Sequence, residues 1–514
     1  MPPPTIKEIS PPRPAWLRAL VLHASVTLAV AQVAPAPDKS TSNPPPAETV
    51  VLSPFEVISD SRGYFAPNTM SGTRLNSKIE DLGMSISVVT KEQMADFALL
   101  DINDIFNYEA STEGTGNYSA RSFDQNGFET DAVQLMPESA NRIRGLNPAN
   151  ISFGNFETSG AIPLDPLNIE AVEISRGPNS SLFGLGTGGG TVNSVPSSAN
   201  LTRNRSEVSF RGDDIGSYRS TLDLNRTLKR GVLAVRGSAA YQHDAFTQKP
   251  SGTDTVRLNG MVKFRPFKTT TLTASVSSYR IHGTRPNTGT PPDAITGWIQ
   301  SGSPTWDPVT RTVKMGGRTI GTFAGVPPYF AQRSSGSLSQ FYIDQGGIGY
   351  WGNSRTTTLT NPLTASGTGA LMLPLADPNG FLASQPLFTT QSVLNSKAYY
   401  DWSSINLAAA NRFETKAMTS TVLVEHQFFE NDTHRLGAQL GWFRETTEDW
   451  KRIPLSEPRL AGANGRNQPL QVDVNERFFD GTPNPYFLRP FITSGSPGSR
   501  TSAQDRDIHR AQFA

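Results

Sequence analysis

With 514 residues the chain is long enough for about three domains or one large assembly, and its 46 Lys and Arg balance 45 Asp and Glu, leaving none of the basic excess that nucleic-acid phosphates demand. Zero cysteines exclude disulfides, thiolate metal sites, cysteine-held iron–sulfur clusters and a cysteine nucleophile. Glycine (44), proline (39) and a mean hydropathy of −0.37 describe a turn-rich, polar-looking chain; the absence of any apolar run of about 18 residues excludes membrane-spanning helices but not a β-barrel of alternating strands.

Residues 1–31 read as a secretory signal peptide: Lys7, Arg13 and Arg18 precede a largely apolar run from Ala19 to Ala31, which closes on the small-x-small site Ala29-Val30-Ala31. The alternative, a short buried helix, fits poorly with the prolines crowding both ends. Residues 32–48 are too poor in large apolar groups to fold and rich enough in proline to stay extended, so they form a Pro-rich tether. Residues 49–57 follow as a β-prone stretch in which Val51, Phe55 and Val57 share one parity and Pro54 removes one backbone donor. Two readings stand side by side for it: a strand offered to a partner's sheet edge, or the first strand of the domain behind it.

Residues 58–200 have a mixed α/β pattern. Met84–Val89 reads as a short buried strand, Thr90 with Gln93 has capping-box spacing for a helix from Lys91 to about Leu99, and Asp101 caps a second short helix carrying Ile102, Ile105 and Phe106. Asn141–Gly145 ends a strand-like piece, and Ile169–Pro178 runs into a glycine-rich close at positions 184, 186, 188, 189 and 190. Gly184–Gly189 formally matches G-x-G-x-x-G, yet the strand-like, proline-ended Thr191–Pro196 follows where a dinucleotide fingerprint requires a helix. These glycines are better explained by close backbone packing or positive φ.

The ordered set Thr49–Phe55, Asn68–Leu75, Leu82–Thr90, Ile143-Arg144-Gly145 and Val172–Pro178 through Phe183-Gly184 resembles the plug domain of TonB-dependent outer-membrane receptors, over residues 49 to about 190. The resemblance implies that Val50, Val51, Leu52, Ser53, Pro54 and Phe55 form the TonB box, which pairs with the periplasmic domain of TonB. It also implies that Arg144, Gly145, Arg176, Gly177, Gly184 and Gly186 serve the plug's architecture.

Residues 201–514 have a different rhythm. Val256, Leu258, Gly260, Val262 and Phe264 alternate with Arg257, Asn259, Met261, Lys263 and Arg265; Leu233–Gln242 and Leu436–Trp442 alternate likewise. Noisier segments run over 207–211, 219–226, 271–280 and 418–429, and Asp505–Ala514 opens an eighth strand. Tight connections at 228–231, 265–268 and 430–433 alternate with longer ones, notably 282–411 with its scattered aromatics, as periplasmic turns alternate with extracellular loops. The competing fold is a soluble β-sandwich, in which Tyr241, Phe264, Phe428, Phe429 and Trp442 are core residues rather than an interfacial girdle.

The fold expected is therefore an incomplete membrane β-barrel behind an N-terminal mixed α/β plug, with about eight of the 22 strands that the resemblance implies. Eight strands alone enclose too little space for a plug, so the sequence reads as a fragment. The six histidines show no metal-ligand spacing, Asp213-Asp214 sits in a turn-like segment, and no nucleophile elbow occurs. No enzyme activity, cofactor or metal is expected; no single ligand-contact residue is assigned, and the aromatics within Tyr118–Phe128 and the 282–411 loop stand as candidate contacts. What the resemblance implies is an outer-membrane receptor, in contact with outer-membrane lipid, for active uptake of a siderophore, cobalamin or glycan. That uptake is driven by the inner-membrane proton gradient. The rival readings are a secreted soluble β-rich carbohydrate-binding protein, or a truncated receptor without function.

Overall fold

The computed structural model describes residues 63–73, 75–114, 122–123, 129–130, 141–146, 148–177, 188–286, short stretches between 295 and 398, 401, 403–430, 434–454, 471–472, 476–477, 481–491 and 498–513. The signal, tether and TonB-box readings at 1–57 lie outside these residues, as do Gly184 and Gly186.

The plug is a five-stranded sheet with two short helices on one face. Its strands are β1 (Ser85–Thr90), β2 (Asn150–Phe153), β3 (Phe156–Glu157), β4 (Ile169–Arg176) and β5 (Gly190–Pro196), in the order β1-β4-β5-β2-β3. Only the β5–β2 pair is parallel. Helix α1 (Lys91–Asp96) starts where Thr90 accepts the N–H of Gln93, and α2 (Ile102–Phe106) starts where Asp101 accepts the N–H of Asn103 and Asp104. Helix α1 stops three residues short of the expected Leu99. Ala98 adopts a left-handed φ of 57°, and the Leu99 N–H turns back to the Met94 carbonyl at 2.8 Å. This drives Leu99 into the core with Val89, Met94, Ile105, Phe106, Val172, Ile174 and Val192. The G-x-G-x-x-G stretch runs into β5, a strand, as the sequence predicts. A Cβ on Gly190 would stand 2.2 Å from the Ser175 carbonyl, so that glycine is what allows β4 and β5 to meet.

Behind the plug, eight antiparallel strands form one meander: β6 (Arg205–Gly212), β7 (Tyr218–Lys229), β8 (Leu233–Ala245), β9 (Gly252–Phe267), β10 (Thr270–Thr284), β11 (Arg412–Glu430), β12 (Arg435–Ile453) and β13 (Gly498–Phe513). All eight expected strands are present, most of them longer than expected. Connections at 230–232, 268–269 and 431–434 are short, and those at 285–411 and 454–497 are long.

The sheet is inside-out by the standard of a water-soluble protein. On β9 the apolar residues face away from the plug and are exposed, Leu258 at 55% and Val262 at 43%, while Arg257 and Lys263 are buried at 8% and 6% against it. A soluble sandwich buries the apolar face, so that alternative is excluded by the sense of the alternation. Phe264, Phe267, Phe428 and Phe429 fringe the exposed face at its short-turn end, and Tyr218 and Trp450 at its long-loop end. The apolar band also crosses the sheet obliquely. On β9 it begins at Val256, below Asp254; on β12 it begins at Trp442, below Arg444. In register, Trp442 is partnered through Val422 and Ala274 to Val262, six residues further along than Val256. Six residues are roughly 20 Å along a strand and three strand spacings roughly 14 Å across, a slope of roughly 50°. A flat membrane cuts strands in this way when they are tilted by an amount near that of outer-membrane barrels.

Replacing Val262 by Arg on the outer face is expected to cost about 2–4 kcal/mol of barrel stability. Lys263→Arg, one residue on and facing inward, is expected to stay near wild type. Denaturant titration of the folded band in lipid vesicles checks both.

Candidate functional site

The sequence-predicted plug residues that are described converge on one end of β4. Arg176 donates to the Ala110 carbonyl (2.8 Å), the Ser87 hydroxyl (3.1 Å) and Glu109 Oε2 (2.7 Å), tying β4 to β1 and to the segment after α2. Arg144 and Gly145 take left-handed φ values of 58° and 68°, and the Arg144 N–H donates to the Ser111 carbonyl. Gly177, at φ 102°, lies under the Arg144 guanidinium; a Cβ there would stand 3.0 Å from Nη1. Arg144, Gly145, Arg176 and Gly177 therefore gather round Glu109–Glu113.

The residues that seat the plug in the wall are ones the sequence reading did not single out. Asp165 lies between prolines 163 and 166 and is 3% exposed. Its Oδ1 accepts Arg219 Nη2 of β7 at 2.7 Å and the Leu167 N–H at 2.9 Å, while Arg257 Nε of β9 stands 2.9 Å from Oδ2. Arg257 also donates to the Pro163 carbonyl and lies over the Tyr279 ring. Burial alone would push the Asp165 carboxyl up, but Arg257, Arg219 and the Leu167 N–H together hold it below the usual carboxylate range. One strand over, Arg236 of β8 grips Asp223 of β7 with both its arms and reaches Glu170 of the plug at 3.2 Å. Ser159 presents its N–H and hydroxyl to the two oxygens of Glu445 on β12, at 2.7 and 3.0 Å.

Further round the wall, Phe156 of β3 stacks on Phe443 of β12 at 5.3 Å, and the Arg510 guanidinium of β13 covers its ring. A Cβ on Gly441 would come within 2.8 Å of Phe156, so that approach requires glycine. Between this stack and the end of β5 lies a cavity of about 140 Å³, walled by Met70, Glu170 and Asn193 of the plug and by Lys263, Glu425 and Gln439 of the sheet.

Other expectations are met or modified locally. Asp213 accepts the N–H of Ile215, Gly216 and Ser217 in the tight turn after β6, a structural use of that carboxylate. His426 is half-buried: it shares a hydrogen bond with Thr270 and packs edge-on to Phe428. The Tyr118–Phe128 aromatics lie in a region of which only the backbone of 122–123 is described, and much of loop 282–411 lies outside the described residues. Among the described residues, no cluster of His, Cys, Asp and Glu forms a metal site.

Removing the Asp165 charge leaves two buried guanidiniums facing each other. Asp165→Asn is expected to destabilise the seated plug by about 3–5 kcal/mol at neutral pH, read as the thermal shift of protease resistance. Because the folded carboxyl titrates below its unfolded value near ~3.9, the stabilisation is present above that value and lost as pH falls through the lowered one. The gap between Asp165→Asn and wild type is therefore expected to close in melts below about pH 4.

The TonB-dependent Receptor Plug Domain family matches residues 78–191. The ferripyoverdine receptor of Pseudomonas aeruginosa is 29% identical over 210 residues, 38% of this chain and 23% of that protein. The metal-pseudopaline receptor CntO of the same species is 32% identical over 182 residues, 35% of this chain and 24% of that one. The ferrichrome outer membrane transporter/phage receptor of Escherichia coli K12 is 26% identical over 209 residues, 40% and 27%. Each match spans about a quarter of the relative's length. The crystal structure of the ferripyoverdine receptor of the outer membrane of Pseudomonas aeruginosa bound to ferripyoverdine is 16% identical, with a TM-score of 0.42 over 90% of this chain and 52% of that one. Over residues 78–191 the chain is similar to the plug of TonB-dependent receptors, and the strands behind it turn their apolar face outward.

Proposed function

We propose that the protein takes up a scarce metal chelate, of the siderophore class, across the outer membrane in a TonB-dependent step. The observation that carries this reading is a separately cored plug held inside a wall by polar contacts, because such a body closes a pore and is still able to be shifted. The relatives named for ferripyoverdine, metal-pseudopaline and ferrichrome favour a metal chelate over cobalamin or a glycan. Val50–Phe55 serves as the TonB box and adds a strand to the periplasmic domain of TonB, with the proton gradient of the inner membrane as the energy source. Residues 1–31 direct export, 32–48 give the box its reach, 58–200 form the plug and 201–514 belong to the barrel. Arg144, Gly145, Arg176 and Gly177, with Gly184 and Gly186, hold the plug's shape and have no part in covalent chemistry.

The test is radioiron uptake in cells that rely on this receptor, supplied with ferrichrome, ferrioxamine or ferripyoverdine in turn. One chelate is expected to be accumulated only when TonB is present. Leu52→Pro is expected to cut that uptake by about tenfold or more while leaving surface binding of the chelate intact, since a second proline in the box removes a further backbone donor. Uptake of every chelate unchanged by loss of TonB refutes the reading.

A further inference from the structure

The helix-free face of the plug sheet is polar and yet buried. Glu173 of β4 is 1% exposed and Asn193 of β5 is 1% exposed, and the segment covering them is the arm that leads into the plug, residues 67–72. The Met70 N–H donates to Glu173 Oε1 at 2.7 Å and the Ser71 hydroxyl to Oε2 at 2.5 Å, so the two carboxylate oxygens hold two successive residues of the arm. Asn193 Nδ2 donates to the same Oε2 at 2.9 Å, and its Oδ1 accepts the Asn155 N–H at 2.8 Å. Among the described residues, no cation lies within ion-pair distance of Glu173. The arm is also tied to the segment that follows it, where Asn68–Thr69 pairs antiparallel with Ser77–Lys78 and the Ile79 N–H donates to the Pro67 carbonyl; nearer its start the Thr90 hydroxyl donates to the Gly63 carbonyl, and the Tyr64 hydroxyl to Asp96 on an exposed surface.

On its far side the arm borders open space, because Met70 lines the 140 Å³ cavity together with Asn193 and Lys263. We propose that Glu173 is a latch, a positioning residue through which the plug sheet holds the arm, and that the arm leaves before the sheet opens. Its departure joins the cavity to the volume that residues 67–72 occupy and bares a polar surface against the inner wall of β9–β12. The role of the latch in uptake rests on the reading of residues 50–55 as the TonB box, since force applied there reaches Met70 and Ser71 before any strand of the sheet. The order of opening, arm first, does not rest on it.

The chain has no cysteine of its own, so single thiols report on it cleanly. In isolated outer membranes, a maleimide is expected to label Met70→Cys, on the arm, faster than Val192→Cys, in the core under the helices. Adding Glu173→Gln is expected to raise the Met70→Cys rate by about tenfold and to leave Val192→Cys unchanged, because the amide brings a donor to the donor of Asn193. Ser71→Ala, which removes one of the two bonds, is expected to raise it by a smaller factor. The proposal is overturned if both thiols accelerate together, which means that the plug opens as one body, or if neither variant changes the Met70→Cys rate. If the variants behave as expected in membranes while labelling of Met70→Cys in cells is the same with and without TonB, the latch stands and the TonB-driven reading falls.

Discussion

The structure depends on where the charge of the barrel wall is neutralised. A sheet whose outer face meets lipid must turn its polar residues inward, and in this chain they include Arg219, Arg236, Arg257, Lys263 and Arg510. Guanidiniums cannot be left alone in a low-dielectric interior, where removing water from an ion costs several kcal/mol unless a partner replaces it. The plug supplies part of that replacement: Asp165 between two strands, Glu170 beside a third, and the backbone carbonyls of Pro163 and Gly154. The wall repays it with Glu445, which takes both donors of Ser159. Plug and wall therefore complete one another electrostatically.

A seam built in this way differs from the plug's own interior. Inside, Val89, Ile105, Phe106, Val172, Ile174 and Val192 form a continuous apolar cluster whose separation exposes hydrocarbon to water. Across the seam the contacts are mainly hydrogen bonds and ion pairs, and these exchange for water at a much smaller net cost per contact. Phe156, pressed on Phe443 through the space that Gly441 leaves, and Ile162, packed against Tyr279, Ile281 and Ala417, are apolar exceptions. The chain thus separates two strengths of association: a cored plug, and a polar seat from which it can part.

How much of this was legible in the sequence follows from which forces leave a periodic trace. The wall strands were readable because lipid on one side and plug on the other impose a period of two, as in Val256–Arg265. Their ends were not: β11 begins six residues before Met418, where charged residues such as Glu414 and Lys416 blur the alternation. Helix α1 was readable from its cap, but its end was set by Ala98 taking a left-handed turn, for which no glycine gives warning. Asp165 left no trace at all, being one acid between two prolines in an irregular stretch. Glu173 was visible as the polar alternate in Val172–Ser175, and the natural inference from such alternation, a solvent-facing residue, is the wrong one here because the arm returns to cover it.

That return also connects the two halves of the architecture. Asn193 faces the latch with its amide nitrogen and the β2–β3 turn with its oxygen, and that turn carries Gly154 and Phe156 to the wall at Arg510 and Phe443. A displacement of the arm therefore acts on the same group that positions the plug's contact with β12 and β13. Elsewhere along the seam, Asp165 keeps its two guanidiniums, with the Leu167 N–H on the same carboxylate. The side bordered by the cavity has room to rearrange, whereas on the other Asp165 is held between the guanidiniums of Arg219 and Arg257.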